Sequence, residues 1–379
     1  MKRFTTAAAM LAATTSLATA GGIDRSSQFL GPLFEEGGTS GSYAQLSFGF
    51  IKPEAKAPNL GVGQSLGDYN SVGLAYKTDF NDKLSFALIV EEPYGADIRY
   101  AAASVFSGGG ASVSSEQVTG VLRYKFNDNW SVHGGIRALQ ADGLIDTFVA
   151  APVPGGVAPI SVTADGSFSF GGLVGVAYER PDIALRVALT YNSAIDVDFD
   201  GTETVFADAA RTIVAATGAT NFTVEFPESI NLEFQTGIAE DTLLFGSVRH
   251  AFYDGFNLTA PANPAIFGGG LGATRYVNFS SDTTTFTLGV GRRFNENWSG
   301  TVSITHEEEG TVPSTTALAP TTGFTSIALG ARYTQDAWTV SGGISYTNLG
   351  NQLVNSPAGV ANFNDNKVVA AGLRFGYNF

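Results

Sequence analysis

Residues 367–379 read K-V-V-A-A-G-L-R-F-G-Y-N-F. Successive side chains of a β-strand point to opposite faces. One face of this stretch is small or polar, and the other is apolar and aromatic, with Val369, Leu373, Phe375, Tyr377 and Phe379. A strand that is apolar on one face and ends on aromatic residues is typical of the last strand of a bacterial outer-membrane β-barrel. The stretch therefore predicts a β-barrel fold, a lipid-facing outer surface and an outer-membrane location.

The N-terminus predicts an export signal. A basic start at Met1 to Arg3 precedes an Ala-rich apolar stretch, and Ala18 to Ala20 form an A-x-A cleavage site. A membrane-spanning helix is disfavoured because the apolar stretch is too short to cross a bilayer. We therefore expect residues 1–20 to be a signal peptide, 21–41 an N-terminal hatch segment and 42–379 the barrel.

Composition narrows the class of protein further. Beyond Ala20 the chain has no apolar run long enough for a membrane helix, yet it is 44% hydrophobic and 12% aromatic. A chain that crosses a bilayer without helices does so as a closed barrel. The absence of Cys excludes a disulfide framework and a thiolate metal site. The net charge of −14 argues against nucleic acid as a partner.

Alternation of apolar and polar residues between turn signals predicts fourteen strands. They span about 42–52, 68–79, 83–92, 116–127, 129–141, 162–179, 183–193, 222–239, 242–258, 283–294, 297–308, 324–335, 338–348 and 367–379. The connections after even-numbered strands are tiny and rich in Asn, Asp and Pro, as at Asn81-Asp82, whereas the others run to about 14 to 28 residues. This asymmetry predicts an all-β, 14-stranded antiparallel transmembrane β-barrel with both termini periplasmic. A soluble β-sandwich would not need it.

The same alternation predicts which side chains face the lipid and which face the lumen. Trp130, Trp298 and Trp338 each follow a short turn and should mark the periplasmic aromatic girdle. Arg or Lys facing lipid at mid-depth would cost about 2–4 kcal/mol. We therefore expect the charged residues of the opposite face to line the lumen: Arg123, Lys125, Arg137, Arg186, Glu233, Arg293, Arg332 and Arg374, together with Glu91.

Two short motifs carry a resemblance to a known family. Glu91 to Tyr100 read E-E-P-Y-G-A-D-I-R-Y at the outer end of strand three, and Phe226 to Leu232 read F-P-E-S-I-N-L leading into strand eight. With fourteen strands and a segment ahead of strand one, the chain resembles the FadL/TodX family of outer-membrane transporters for long-chain fatty acids and hydrophobic compounds. It departs from the family pattern in that this segment is shorter and lacks an Asn-Pro-Ala element.

The resemblance implies a mechanism. Ligand is captured among the outer loops, reaches a site inside the barrel and leaves sideways through an opening at a kink in strand three, while the N-terminal segment folds into the lumen as a hatch. The residues implicated in binding and gating are Phe29, Leu30, Leu33 and Phe34 of the hatch and Pro93, Tyr94 and Gly95 of strand three.

The residues at strand three allow two readings. Pro93 lacks the N–H that a strand ladder needs, and Gly95 permits a bend, so the strand should be interrupted there. A plain turn that ends the strand fits the same residues. In the hatch, Asp24 and Arg25 could pair with lumen charges.

The sequence gives weaker support for metal binding or catalysis. Asp196 to Gly201 imitate the start of a calcium loop, but the twelfth position is Ala207 rather than Glu, and a solvent-facing strand end explains the acids better. His133, His250 and His306 lie on three different strands without the spacing of metal ligands. We expect no cofactor, no metal site and no enzymatic activity.

The sequence thus predicts a monomeric channel that admits long-chain fatty acids or similar hydrophobic molecules without ATP. Its expected partners are outer-membrane lipid, lipopolysaccharide and the barrel-assembly machinery of a Gram-negative cell. The alternatives are a general diffusion porin for small polar solutes and a structural or adhesive surface protein. A plugged lumen that holds an apolar guest would distinguish the first function, and an open water column would distinguish the second.

Overall fold

The computed structural model of the protein describes residues 23–150, 157–260, 274–310, 316–356 and 358–379. The expected signal peptide, residues 1–20, lies outside the described residues. In that described part, no helix is long and apolar enough to cross a membrane. Its helical turns are short 3-10 segments at Gly31–Phe34, Pro58–Leu60 and Pro181–Ile183.

Fourteen antiparallel strands close into one barrel, which confirms the predicted fold class. In chain order they are Ser42–Glu54, Tyr69–Asp79, Leu84–Glu91 with Ala96–Arg99, Gly110–Lys125, Trp130–Ala150, Val157–Gly166 with Ser169–Arg180, Leu185–Asn192 with Ile195–Phe206, Val214–Phe226 with Ser229–Ala239, Thr242–Ala251, Thr283–Arg293, Trp298–Glu307, Phe324–Gln335, Trp338–Leu349 and Lys367–Asn378. Strands three, six, seven and eight therefore consist of two segments each. Strand one pairs with strand two and with strand fourteen, where Tyr43 lies opposite Asn378, and this pairing closes the barrel.

The short turns are confirmed, and three of them share one design. The Asn81 carboxamide oxygen accepts hydrogen bonds from the N–H groups of Lys83 and Leu84 at 2.9 and 3.0 Å. Asn127 and Asn295 accept the equivalent bonds ahead of strands five and eleven. Asn side chains satisfy turn amides in this way without help from distant residues, which is why the sequence predicts these turns well.

Strands four to eight are longer than predicted, and strand five continues to Ala150 rather than 141. Strand seven continues to Phe206 rather than 193, strand eight begins at Val214 rather than 222, and only residues 207–213 separate them. In the extension Asp196 and Asp198 face outwards to solvent, while the apolar residues between them are buried inside. The apolar–polar alternation therefore continues beyond the lipid with the outer face acidic, and the predicted long loop is mostly strand.

Strand nine is shorter than predicted. It ends at Ala251 instead of residue 258, and Asn257–Ala260 instead forms a separate hairpin with Thr274–Asn278. A second small hairpin, Gln352–Ser356 with Gly359–Phe363, precedes strand fourteen. Side chains of both hairpins join the buried apolar clusters of the long-loop end.

The outer surface carries an apolar band with an aromatic girdle at its short-turn end. Each of the three Trp residues packs with tilted rings against a Tyr of the neighbouring strand, with ring centroids 4.8 Å apart for Trp130–Tyr178, 5.0 Å for Trp298–Tyr333 and 4.4 Å for Trp338–Tyr377. Amphipathic rings of this kind favour the membrane interface. On strand four the band ends above Val118, where the outward positions become Glu116 and Ser114.

Candidate functional site

The N-terminal segment, residues 23–41, lies inside the barrel, and we refer to it as the hatch. Its first residues pair with the break in strand three: Arg25 N–H donates to Pro93 O at 2.7 Å, and Gly95 N–H donates to Ile23 O at 2.8 Å. Its last residues lie at the short-turn end, where Ser40 N–H donates to Phe379 O at 2.9 Å. The hatch thus runs from the strand-three break to the short-turn end of the lumen.

Buried polar contacts hold the first half of the hatch. The Asp24 carboxylate accepts hydrogen bonds from Arg249 Nε and the Tyr253 hydroxyl, both at 2.9 Å. Gln28 Oε1 accepts a bond of 2.8 Å from Arg137 Nη1. Breaking one side of a buried ion pair leaves an uncompensated charge and costs about 3–5 kcal/mol. These contacts therefore fix the position of the hatch against the wall.

Apolar packing holds the second half of the hatch. Leu33 and Phe34 are 0% and 5% exposed, and with Leu30 they pack against apolar inward-facing side chains: Ala75, Ala87, Ile89, Val121, Leu173, Ala177 and Ala188. The Phe34 ring contacts two guanidinium groups, with Arg123 Cζ 4.6 Å and Arg186 Cζ 4.7 Å from its centroid. The hatch therefore fills the short-turn half of the lumen.

Strand three is kinked at residues 92–95 and does not end there. Its first segment pairs with strand four up to Glu91, opposite Gln117. Its second segment resumes pairing with the same strand, with Ala96 opposite Val113. Of the two readings left open by the sequence, the structure shows the kink.

The kink leaves a gap in the wall towards strand two. The ladder between strands two and three ends where Leu74 lies opposite Val90. Within the described part of the chain, residues 69–73 of strand two pair with strand one and not with strand three. Above the gap, Gly67 N–H donates to Asp97 O at 2.9 Å and closes the wall again. We call the space between residues 69–73 and 92–95 the wall window.

The wall window lies at the outer edge of the apolar band. Glu91 is opposite Gln117, so the window is level with the outward-facing Glu116. The Glu92 carboxylate on strand three lies close to the Val72 main chain on strand two, across the gap. The window is thus flanked by an acidic side chain.

Two cavities reach the wall window. The inner chamber, about 200 Å³, lies beside the hatch and is lined by charged residues, Arg186, Glu233, Arg249 and Arg374 among them. The upper pocket, about 70 Å³, lies towards the long loops, and its lining is mostly apolar: Ile23, Leu66, Tyr69, Ile98, Phe279 and Leu318. The space on the long-loop side of the window is therefore mostly apolar, whereas the space beside the hatch combines charged groups with apolar surface.

Aromatic side chains fill the lumen between the hatch and the long loops. Tyr94 packs against Phe226 with tilted rings and centroids 4.8 Å apart, and Phe256 stacks on Phe279 at 5.4 Å. Both pairs belong to, or pack against, one buried cluster. Burial raises the pKa of Tyr276, a loop residue of the adjoining apolar cluster, so its phenol stays neutral. Such a lining suits an uncharged, apolar ligand.

Comparison with known proteins agrees with this geometry. Residues 69–379 match the model of the family described as outer membrane protein transport protein (OMPP1/FadL/TodX). The chain belongs to this family. A search of the curated proteins gives no significant match.

Solved structures of the FadL/TodX type share the fold. A FadL homologue of Pseudomonas aeruginosa has a TM-score of 0.76 at 14% identity, over 92% of each chain. The Pseudomonas putida toluene transporter TodX has a TM-score of 0.68 at 14% identity, over 96% of this chain and 98% of its own. The Ralstonia pickettii toluene transporter TbuX has a TM-score of 0.65 at 14% identity, over 92% of this chain and 91% of its own. At this identity the likeness is one of fold.

The residues suggested by the FadL/TodX resemblance fall into two places. Pro93, Tyr94 and Gly95 lie together at the kink against the hatch, while Leu30, Leu33 and Phe34 fill the short-turn half of the lumen. Phe29 lines the inner chamber between them.

Gly95 is at the kink for a different reason from the one expected. Its φ is outside the left-handed region, so the bend itself does not require glycine. A Cβ added at Gly95 would instead overlap the side chain of Arg25. Glycine therefore makes room for a hatch side chain.

The predicted lumen charges separate by depth. Arg123, Arg137, Arg186 and Arg374 are buried inside the barrel, and Arg186 lies close enough to Glu233 for electrostatic attraction. Nearer the short-turn end, Lys125 is half-buried, Arg332 donates to Thr339 Oγ1 at 3.3 Å, and Arg293 forms an ion pair with the turn residue Asp241. Arg293 thus secures a turn and lies away from the inner chamber.

Sequence reasoning missed Arg249 and Tyr253, which together hold Asp24. Arg249 occupies an inward-facing position of strand nine, so the alternation that selected Arg137 was sufficient to find it. Tyr253 follows the end of the strand, where no periodic pattern predicts its direction.

The residues considered for other chemistry are accounted for by local contacts. His133 Nε2 shares a hydrogen bond of 2.8 Å with Thr190 Oγ1 inside the barrel. His250 and His306 bond to threonines of neighbouring strands. Among the described residues, no group of three or more His, Asp and Glu side chains is arranged to hold a metal ion.

Proposed function

We propose that the protein takes up hydrophobic small molecules across the outer membrane by ATP-independent diffusion, and that they leave the lumen through the wall window. The observation that carries this proposal is the combination of a filled axis and an interrupted wall. Leu33 and Phe34 occupy the short-turn half of the lumen. The ladder between strands two and three stops at Leu74 and Val90, beside the apolar upper pocket.

The lining of this path selects the ligand class. A neutral apolar molecule has no polar groups that need hydrogen-bond partners. It can therefore pass from the aromatic cluster to the upper pocket without a desolvation penalty. A general porin would instead need a continuous polar channel along the axis, where the hatch lies. TodX and TbuX are toluene transporters, so toluene and a labelled long-chain fatty acid are both suitable probes.

The proposal extends to the setting of the protein. It functions as a monomer in the outer membrane of a Gram-negative cell, surrounded by lipopolysaccharide and inserted by the barrel-assembly machinery. Both termini lie on the periplasmic side with the short turns. It transports without a catalytic step.

Closing the wall window by a covalent bond tests the proposal. On the register that pairs Leu74 with Val90, Val72 and Glu92 would form the next outward-facing pair, and the Glu92 side chain already lies close to Val72. The protein has no Cys, so a Val72→Cys/Glu92→Cys variant carries the sole thiol pair. Oxidation, or a short bifunctional thiol reagent, should reduce uptake of both probes to background, and reduction of the disulfide should restore it.

The matched control is Leu74→Cys/Val90→Cys, which bridges the same two strands where their ladder is already continuous. Its cross-linked form should transport like its reduced form. Full uptake by the cross-linked Val72/Glu92 variant, in a correctly inserted barrel, would refute exit through the window and favour an axial porin.

A further inference from the structure

Arg25 lies where three spaces meet. Its side chain lines the inner chamber and the upper pocket, and it also lines a polar recess formed by Glu92, Ser114 and Glu116. Ser114 and Glu116 face the outside of the barrel. Within the described chain, Arg25 is the sole residue that borders all three spaces. It therefore occupies the wall window between lumen and exterior.

The surroundings of Arg25 form a fitted seat. Its guanidinium carbon is 4.1 Å from the centroid of the Tyr69 ring on strand two. Its stem covers Gly95 on strand three, where a Cβ would overlap it. The carboxylates of Glu92 and Asp97 attract its charge. One side chain thus bridges both edges of the window by stacking, close packing and charge.

The position of the side chain is separable from that of the hatch backbone. The main-chain N–H groups of Arg25 and Ser26 both donate to Pro93 O, at 2.7 and 3.3 Å. Asp24 is held by Arg249 and the Tyr253 hydroxyl. Removing the Arg25 side chain therefore leaves the anchors of the hatch intact.

We propose that the Arg25 side chain is the shutter of the wall window, a gating residue that must leave its seat on Tyr69 and Gly95 before an apolar ligand can exit. This inference rests on the proposed function and assigns its gate. The upper pocket, at about 70 Å³, is smaller than the cavity of roughly 150 Å³ that accommodates benzene in a protein core. Moving Arg25 joins it to the inner chamber and opens the wall in one step.

Replacing the side chain tests the shutter. Arg25→Ala should raise the initial uptake rate of toluene and of a labelled long-chain fatty acid by about fivefold, since a stacking contact of this kind no longer has to break. Arg25→Lys keeps the charge and loses the planar stack, so its rate should lie between the two. Arg180→Ala removes an exposed Arg at a short turn and should transport like the unaltered protein.

A glycine substitution provides an independent variant. Gly95→Ala leaves Arg25 in the chain and places a methyl group where its stem lies. The added methyl should push the guanidinium out of its seat, so uptake should rise as in Arg25→Ala.

A second measurement separates a shutter from a structural prop. Conductance of small ions through the barrel in planar bilayers reports whether the hatch still fills the axis. It should stay unchanged in Arg25→Ala while uptake of the apolar probes rises. Equal uptake with and without the Arg25 side chain, or a parallel rise in conductance, would overturn the shutter. The proposed function is judged separately by the Val72/Glu92 cross-link, which can block uptake even if Arg25→Ala has no effect.

Discussion

At the scale of single residues, Phe34 joins the hatch to the charged lining of the lumen. Its ring centroid is 4.6 Å from Arg123 Cζ and 4.7 Å from Arg186 Cζ. Cationic groups over a ring add electrostatic attraction to its buried area. The hatch thus uses a hydrophobic side chain to order two buried guanidinium groups.

Phe34→Ala should loosen the hatch and raise ion conductance. Truncating a buried Phe costs about 3–5 kcal/mol, and here the loss falls on the packing of the hatch against the wall. Planar-bilayer recordings should show a higher or more frequently open conductance. Phe168→Ala, which removes an outward-facing ring that is 63% exposed, should leave conductance unchanged. Equal conductance in the two variants would mean that Phe34 does not secure the plug.

Individual residues also show how far sequence reasoning extends. Alternation along a strand placed Arg137 and Arg186 inside the barrel without any knowledge of their partners, because direction along a strand is a local property. The partners themselves, Gln28 for Arg137 and Phe34 for Arg186, come from the hatch. They are more than a hundred residues away in the chain, and no local rule pairs them.

At the scale of elements, the predictions succeeded where the contacts that stabilise an element lie within one short segment of the chain. The Asn-led turns, such as the one at Asn81, are stabilised by bonds within the turn, so the sequence defines them. The predicted extent of strand seven was wrong because solvent-facing Asp side chains beyond the lipid resemble loop composition. The kink could not be separated from a turn, since strand three resumes only with the support of strand four.

The hatch as an element should be required for the plugged axis. Deleting residues 23–34 removes the Asp24 ion pair, the kink-pairing residues and Phe34 together. Ion conductance should therefore rise well above that of Phe34→Ala, and small polar solutes should leak into liposomes. Heat-modifiable mobility on a gel shows that the barrel itself has formed. A deletion variant with unaltered conductance would show that something other than the hatch blocks the axis.

At the scale of the whole molecule, orientation follows from the asymmetry of the two ends. Strand seven carries an acidic outer face towards the long loops, while the Trp–Tyr pairs form a belt at the end with short turns. Aromatic girdles occur at both interfaces of outer-membrane barrels, whereas short turns are a feature of their periplasmic side. We therefore propose that the long-loop end is the cell surface.

Protease sites inserted at the two ends test the orientation. On intact cells, sites placed after Ser107 or at the hairpin tip beside Ser356 should be cut, whereas sites at Asn81 or Asn295 should not. Gly218, which the sequence places in a loop, lies within strand eight, so a site there should resist cleavage. Cutting at the short turns in intact cells would reverse the assigned orientation.

An interrupted ladder is also an exposed strand edge. From Asn70 to Gly73, strand two pairs with strand one on one side and not with strand three on the other, and such an edge can template pairing with another chain. On the other side of the gap, the hatch satisfies the main-chain groups of strand three by pairing with Pro93 and Gly95. Complete withdrawal of the hatch would leave those groups unpaired, at about 1–3 kcal/mol each. On the proposed exit through the window, a side-chain movement therefore costs less than withdrawal of the hatch, and an extended peptide that adds to the edge of strand two should block the exit.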